Sequence, residues 1–243
     1  MASLTIDERQ IGPLTVRCTG GTDGKGGGDG PAFILNHGFG APGDDLVSLA
    51  GAIDVGPLAG KLRWFFPEAP IAIDFVGGQT GRAWWPIDMR RLQPGIPDKE
   101  KMRMMEETPI GLAPAREALE GCLAALELDP ARTILGGFSQ GAMLATEIQL
   151  HREVPFAGLV ILSGALISLD RWSPAIAERA KQLKVFQSHG QKDPVLAPLS
   201  AVGLRNLLTA HGAELESVEF GGGHEIPRPV LQRLGAWAQR TLG

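Results

Sequence analysis

Residues 133–148 read T-I-L-G-G-F-S-Q-G-A-M-L-A-T-E-I. The apolar run at the start of this stretch is typical of a buried strand, and the segment after Gly141 has a helical pattern. The pattern G-x-S-x-G at such a junction is typical of the sharp turn that carries a nucleophilic serine at the end of a sheet strand. Glycines are needed there because strand and helix approach too closely for Cβ atoms. The stretch therefore predicts Ser139 as a nucleophile, and a chance match to a five-residue pattern is the alternative.

Short apolar runs recur along the chain, with helical patterns between them. The predicted strands are 14–18, 32–36, 62–66, 133–137, 158–163, 184–189 and 215–220. The predicted helices are 44–53, 111–127, 140–151, 174–182, 198–211 and 228–241. The alternation predicts an α/β fold with a mostly parallel central sheet and helices on both faces. The first two strands flank a glycine cluster at 20–30 and are predicted to form a hairpin.

Length and composition set the broad class of the protein. The chain has 243 residues, of which 44% are hydrophobic, and this is enough for one sizeable core. A single domain over 1–243 is therefore expected. The net charge of −4 and the scattered basic residues do not favour nucleic-acid binding. The two cysteines, Cys18 and Cys122, are interpreted as small buried apolar residues.

The N-terminus M-A-S-L-T-I-D-E-R-Q is acidic where a signal peptide would be basic. No apolar stretch reaches the ~18 residues that a membrane span needs. A cytoplasmic protein without stable membrane insertion is therefore expected. No His, Cys, Asp and Glu cluster has the spacing of metal ligands, so neither a metal nor another cofactor is expected.

An acid and a histidine follow two of the later predicted strands. Asp193 lies in G-Q-K-D-P-V (190–195), and His224 lies in G-G-G-H-E-I (221–226). In parallel α/β sheets, functional residues lie beyond the carboxyl ends of the strands. The chain order serine, acid, histidine is the order that follows a nucleophile turn of this kind. We therefore predict a catalytic triad of Ser139, Asp193 and His224, with His189 supporting the Asp193 loop.

A second glycine-bounded turn, N-H-G-F-G (36–40), follows the predicted strand 32–36. In hydrolases with a nucleophile turn, an early loop supplies one N–H to the oxyanion hole and the residue after the serine supplies the other. The predicted donors are the backbone N–H groups of Phe39 and Gln140. His37 is expected to brace the turn and not to react.

The chain resembles the phospholipase/carboxylesterase family of α/β-hydrolases, which contains small bacterial carboxylesterases and acyl-protein thioesterases. The resemblance rests on motifs in the same order along nearly the whole chain. These motifs are H-G-F-G (37–40), P-E-A-P (67–70), G-G-F-S-Q-G (136–141), L-S-G (162–164), G-Q-K-D-P-V (190–195) and G-H-E-I (223–226). The resemblance implies an α/β-hydrolase fold and serine esterase activity without a cofactor, in a monomer or homodimer. It also implies the same triad and the same two oxyanion donors.

Residues 71–110 contain no convincing regular element and are interpreted as a functional loop or lid. The segment carries Phe75, Trp84 and Trp85, which are predicted to line a substrate pocket. Its methionines are weaker candidates for the pocket: Met89, Met102, Met104 and Met105. The alternative is that all these side chains pack as core beneath a long loop.

The predicted function is hydrolysis of a small-molecule ester, with short-to-medium carboxylic esters as the first expectation. Thioesters and lysophospholipids are alternatives within the same chemistry. A non-catalytic protein that binds a ligand on a hydrolase fold is the alternative from another class. Acyl transfer to an acceptor other than water stays open, because its first half-reaction is the same.

Overall fold

The computed structural model describes residues 4–75, 78, 80–88, 90, 96–97, 100, 103–104 and 106–243. The strands are β1 (Asp7–Ile11), β2 (Leu14–Gly21), β3 (Lys25–Gly27), β4 (Ala32–Asn36), β5 (Arg63–Pro67), β6 (Ile71–Asp74), β7 (Thr80–Ala83), β8 (Thr133–Phe138), β9 (Gly158–Leu162), β10 (Lys184–Gly190) and β11 (Glu214–Phe220). The α-helices are α1 (Leu49–Ala52), α2 (Leu112–Leu126), α3 (Gln140–His151), α4 (Leu169–Arg179), α5 (Pro198–Ala210) and α6 (Arg228–Leu242). Short 3-10 turns occur at Gly56–Leu58, Pro130–Arg132 and Ala180–Gln182.

The main sheet has the strand order β1-β2-β5-β4-β8-β9-β10-β11, and β3 adds to β2. Every pairing from β5 to β11 is parallel, whereas β1 and β2 pair antiparallel at one edge. The buried strands β4 and β9 are apolar at nearly every position, because helices cover both of their faces. The predicted fold class, a mostly parallel sheet with helices on both faces, is confirmed.

Two apolar cores lie on opposite faces of this sheet. On one face, Leu119 of α2, Leu144 of α3 and Trp172 of α4 pack in one cluster. On the other face, Leu49 of α1 and Trp237 of α6 pack in the second cluster. Within the part of the chain that the structure describes, no helix combines the length and apolar character needed to cross a bilayer.

The predicted hairpin between 14–18 and 32–36 is wrong. Strand β5 lies between β2 and β4, so that Cys18 and Ile34 both face Phe65 in register. Strand β5 reads R-W-F-F-P and is buried from Trp64 onward. A central position covers these large side chains on both faces, and this long-range gain outweighs the local turn signal of the glycine cluster. Strand β1 was also not predicted, because its sequence D-E-R-Q-I is polar and suits only an edge.

Residues 71–110 were predicted to contain no regular element, and this prediction is wrong. Strands β6 and β7 pair antiparallel in a separate two-stranded sheet. Their sequences, I-A-I-D and T-G-R-A, lack the alternation that signals a strand. Backbone contacts with the turn after β4 hold β7: the N–H of Gly40 donates to Arg82 O at 2.8 Å, and the N–H of Arg82 donates to Ala41 O at 3.0 Å.

Gly141 lies where α3 begins against the end of β4. A Cβ there would overlap the carbonyl oxygen of Asn36 and would lie 2.6 Å from that of His37. Both are backbone atoms, so relief requires that the strand or the helix moves. We expect Gly141→Ala to lower the free energy of unfolding by about 3 kcal/mol or more. Chemical denaturation followed by circular dichroism measures this change.

Gly203 provides a matched control inside α5, where a Cβ would find only Leu166 Cδ2 at 3.6 Å. Gly203→Ala is expected to raise the free energy of unfolding by about 0.5–1 kcal/mol, because alanine is the better helix former. Equal stability of wild type and Gly141→Ala would contradict the close approach of α3 to β4.

Candidate active site

Ser139 occupies the turn between β8 and α3, with φ +55° and ψ −118°. Few non-glycine residues adopt a positive φ, and such strain persists only where the surroundings hold it. The N–H of Ser139 donates to Leu162 O at 2.9 Å, and its carbonyl accepts from the N–H groups of Ala142 and Met143 at 3.1 Å. These bonds fix the turn to β9 on one side and to α3 on the other. The serine thus lies at the carboxyl end of β8 on a strained turn at the start of a helix.

Asp193 and His224 come together because they follow the neighbouring parallel strands β10 and β11. Backbone bonds continue the pairing past the strand ends: the N–H of Gln191 donates to Phe220 O at 2.8 Å and that of Lys192 to Gly222 O at 3.0 Å. The resulting loops place Nδ1 of His224 at 2.7 Å from Oδ2 of Asp193. This geometry orients the imidazole with its Nε2 away from the acid.

The Asp193 carboxylate is held from several directions. Its Oδ1 accepts from the backbone N–H groups of Val195 at 2.8 Å and Leu196 at 2.9 Å. Burial raises the pKa of the Asp193 carboxyl, but the hydrogen bonds from His224, Leu196 and Val195 outweigh burial. The net pKa lies below its usual range, so Asp193 is ionised at neutral pH.

The His224 imidazole lies next to the serine turn. Its ring contacts the ring of Phe138, the residue before Ser139, with centroids 4.7 Å apart. Among the described residues, the structure records no hydrogen bond between Ser139 Oγ and the His224 ring. Such bonds are often long without substrate and shorten in the reacting complex. The structure thus joins the acid to the histidine directly and brings the histidine alongside the serine turn.

The turn after β4 packs directly against Ser139. A Cβ on Gly38 would lie 3.3 Å from Ser139 Cβ and 3.2 Å from Phe138 Cδ1. The backbone N–H groups of Phe39 and Gln140, the two predicted donors, have no protein acceptor among the described residues. Two unpaired N–H groups beside a serine, one of them at the first turn of α3, are suited to accept negative charge.

The side chain of Gln140 has a contact that the sequence did not predict. It is fully buried; its Oε1 accepts from Trp84 N–H at 2.9 Å and its Nε2 donates to Trp85 O at 2.8 Å. The N–H of Gly40 also donates to Arg82 O. Strand β7 and the residues directly after it are therefore bonded both to the turn after β4 and to the start of α3, which carry the two predicted donors. The sequence signal for this contact is a polar residue directly after the serine, and it does not indicate which groups that residue binds.

His37 has both ring nitrogens engaged, in agreement with a bracing role. Its Nδ1 lies 2.8 Å from Gly38 O, and its Nε2 accepts from Ala69 N–H at 3.1 Å. Burial lowers the pKa of His37. The neutral ring with a proton on Nδ1 satisfies both contacts.

The three predicted pocket residues have different environments. Trp84 and Trp85 are 1% and 2% exposed and belong to the core that contains Leu119 of α2. Trp84 Nε1 donates to His37 O at 3.0 Å. Phe75 is 39% exposed, and its ring lies where a Cβ on Gly40 would come within 2.9 Å of it. Met89, Met102 and Met105 lie outside the described residues. The pocket assignment stays a prediction.

Both cysteines are buried and free, as interpreted from the sequence. Burial raises the pKa of the Cys18 thiol to about 11 and that of Cys122 to about 12. Neither thiol is ionised at neutral pH, so neither competes with Ser139 as a nucleophile.

The chain is similar to proteins of one known family. The family described as Phospholipase/Carboxylesterase matches residues 27–241. Acyl-protein thioesterase 1 of Kluyveromyces lactis is 30% identical over 172 residues, which cover 68% of this chain and 70% of that protein. Acyl-protein thioesterase 1 of Aspergillus fumigatus is 27% identical, with 86% of this chain and 87% of that protein covered.

Solved structures show the same fold. The crystal structure of esterase PE8 has a TM-score of 0.74 and 26% identity, and the alignment covers 94% of this chain and 99% of that one. The Bacillus cereus carboxylesterase has a TM-score of 0.64 at 18% identity, with 94% of each chain covered, and is similar in fold alone. The family match includes the turns that carry Ser139, Asp193 and His224. The chain therefore belongs to the phospholipase/carboxylesterase family and is a hydrolase of the esterase or thioesterase kind.

Proposed function

We propose that the chain is a serine carboxylesterase that cleaves short-to-medium acyl esters through a triad of Ser139, His224 and Asp193. One observation carries the proposal: a strained serine at φ +55° lies beside a histidine that is bonded to a buried carboxylate at 2.7 Å. Neither a purely structural protein nor a ligand-binding protein needs this combination.

In the first half-reaction, Ser139 Oγ attacks the carbonyl carbon while Nε2 of His224 takes the hydroxyl proton. The negative charge on the carbonyl oxygen accepts hydrogen bonds from the N–H groups of Phe39 and Gln140. Each donor of this kind contributes about 3 kcal/mol to transition-state stabilisation. The ionised Asp193 keeps the His224 proton on Nδ1 and stabilises the imidazolium.

The intermediate then collapses. His224 gives its proton to the leaving oxygen or sulfur, the alcohol or thiol departs, and the acyl group stays on Ser139. Water attacks this acyl-enzyme, with His224 again acting as the base, and the carboxylic acid is released. Ester and thioester cleavage share every step, so the triad alone does not rank the two substrates.

Two observations bear on the substrate. Trp84 and Trp85 are buried in the apolar core, whereas the exposed Phe75 lies beside the turn that carries Phe39. An exposed aromatic ring next to the predicted oxyanion donors is suited to contact an acyl chain. The curated relatives are named acyl-protein thioesterases, and this makes an acyl-protein thioesterase the second candidate.

A matched panel tests the proposal: oxygen esters and thioesters of the same acyl groups, from acetyl to palmitoyl, with kcat/KM measured for each. We expect the highest kcat/KM for short-to-medium oxygen esters and a fall of about tenfold or more for palmitoyl substrates. A palmitoyl thioester cleaved best would favour the thioesterase. No cleavage of any substrate, together with no labelling by a fluorophosphonate, would favour the ligand-binding alternative.

The pH dependence of kcat/KM tests His224 as the base. We expect kcat/KM to fall toward acid pH, because a protonated imidazole cannot accept the hydroxyl proton of Ser139, and to stay level at higher pH. Asp193 does not cause this fall. Its folded-state pKa is depressed, so its stabilising ionisation is complete above about pH 4 and is lost only in stronger acid.

The profile is measured from about pH 5 to 9, with circular dichroism at each pH to confirm that the protein is folded. A flat profile across this range would contradict a histidine base.

A further inference from the structure

We propose that His189 is a positioning residue that orients the catalytic acid: its Nε2–H bonds Leu196 O in the loop of the acid and faces the Asp193 carboxylate beside His224. The inference rests on the proposed triad and adds a fourth side chain to it. His189 is the second-last residue of β10 and is 5% exposed, so its interactions are made within the protein.

The polar contacts of the His189 side chain with the described residues involve one ring nitrogen, Nε2. Nε2 lies 3.3 Å from Asp193 Oδ2, the oxygen that also binds His224, and 3.1 Å from Leu196 O. Nδ1 is buried and has no hydrogen-bond partner among the described residues. The ring therefore spans the two ends of the turn that carries the acid.

This arrangement determines the position of the ring proton. The two oxygens near Nε2, Leu196 O and Asp193 Oδ2, are both acceptors. An unprotonated Nε2 would therefore place its lone pair against one partial and one full negative charge. A proton on Nδ1 would in addition be a buried donor without a partner, which costs about 1–3 kcal/mol. The neutral tautomer with the proton on Nε2 avoids both: it donates to Leu196 O and places the partial positive charge of its N–H 3.3 Å from Asp193 Oδ2.

The consequence for the acid is a carboxylate held at both oxygens. Oδ1 is bound by the N–H groups of Val195 and Leu196, and Oδ2 is bound by His224. His189 Nε2 lies 3.3 Å from Oδ2. Without His189, Oδ2 keeps only His224, and the turn loses the link to Leu196 O. The carboxylate can then swing with the imidazole, and His224 loses its orientation toward Ser139. This affects the chemical step and leaves substrate binding unchanged.

Two substitutions separate the hydrogen bond from the packing. His189→Leu keeps the apolar volume and removes the donor. His189→Gln places an amide N–H close to the position of Nε2. We expect kcat to fall by about 10- to 100-fold in His189→Leu with KM within about threefold of wild type. We expect His189→Gln to recover kcat to within about threefold.

His211→Leu is the matched control, because this histidine ends α5 and lies outside the proposed site. Thermal unfolding of each variant measures the folded fraction, and kcat is calculated per folded molecule. A kcat for His189→Leu within about twofold of wild type would overturn the inference, and so would a loss that resides in KM alone.

A measurement on the wild type keeps the inference testable if His189→Leu does not fold. Long-range ¹H–¹⁵N spectra distinguish the histidine tautomers, and the loss of one signal in His189→Gln assigns His189. We expect the Nε2–H tautomer; the Nδ1–H tautomer would overturn the inference.

If wild type lacks esterase activity and fluorophosphonate labelling, the proposed function fails. If wild type has both and His189→Leu has normal kcat, only the role of His189 fails.

Discussion

Replacing Ser139 by alanine is expected to lower kcat for the best ester by a factor of about 10⁴ or more. The reason is that no other group can take the place of Oγ. The thiols of Cys18 and Cys122 are buried and protonated, and water lacks the positioning that the turn gives the serine. The fold is expected to survive, because the backbone bonds of Ser139 to Leu162, Ala142 and Met143 do not involve the side chain.

Intact mass after treatment with a fluorophosphonate measures the same property without a substrate. Wild type is expected to gain one adduct and Ser139→Ala none. Ser168→Ala is a matched control: Ser168 is also a buried serine with positive φ before a helix, and its Oγ has no partner among the described residues. This variant is expected to be labelled like wild type. An adduct that persists in Ser139→Ala would place the nucleophile elsewhere.

Asp193→Asn is expected to lower kcat by about 10³- to 10⁴-fold while KM stays near the wild-type value. The backbone donors explain the size of the effect. The N–H groups of Val195 and Leu196 require an acceptor, so the amide oxygen of the asparagine takes the place of Oδ1. Its NH₂ group then faces Nδ1 of His224. The imidazole must accept there and carry its proton on Nε2, and a protonated Nε2 cannot take the proton of Ser139.

The same substitution gives the NH₂ group a second unfavourable neighbour, the Nε2–H of His189 proposed above. A matched control is Asp129→Asn, because Asp129 also accepts a backbone N–H two residues on, from Ala131 at 3.0 Å. Asp129→Asn is expected to keep kcat within about twofold of wild type. Steady-state kinetics on both variants makes the comparison. Normal kcat in Asp193→Asn would show that Asp193 is not the acid of the triad.

Local sequence was sufficient for the elements that carry the site. The helix 140–151 and the strand 32–36 have the predicted bounds, and the other central strands differ by one or two residues at their ends. These elements are buried on both faces or on a wide stripe, so their apolar patterns are unambiguous. Ser139 and Asp193 were found because each follows such a strand. His224 follows the half-exposed edge strand β11, and chain order and the glycines around it identified this residue.

Predictions from local sequence were wrong where one sequence pattern was compatible with several strand partners. The glycine cluster after 14–18 allows a hairpin with 32–36, but the aromatic strand β5 takes the place between them. The polar β1 and the irregular sequences of β6 and β7 carry no strand signal of their own. Their pairing depends on backbone hydrogen bonds with distant residues, such as that of Gly40 with Arg82. The pattern of side chains carries no information about these bonds.

The α/β class and the turn at Ser139 could be predicted from residue types within short windows, and the family from the order of such motifs along the chain. The separation of β2 from β4 by β5 and the bonds of Gln140 to Trp84 and Trp85 could not, because they depend on tertiary packing. The same holds for the bond of His224 to Oδ2 of Asp193 at 2.7 Å. These hydrogen bonds join residues from different strand ends and require donor and acceptor within about 3.2 Å. Distances of that kind are set by the packing of the whole sheet.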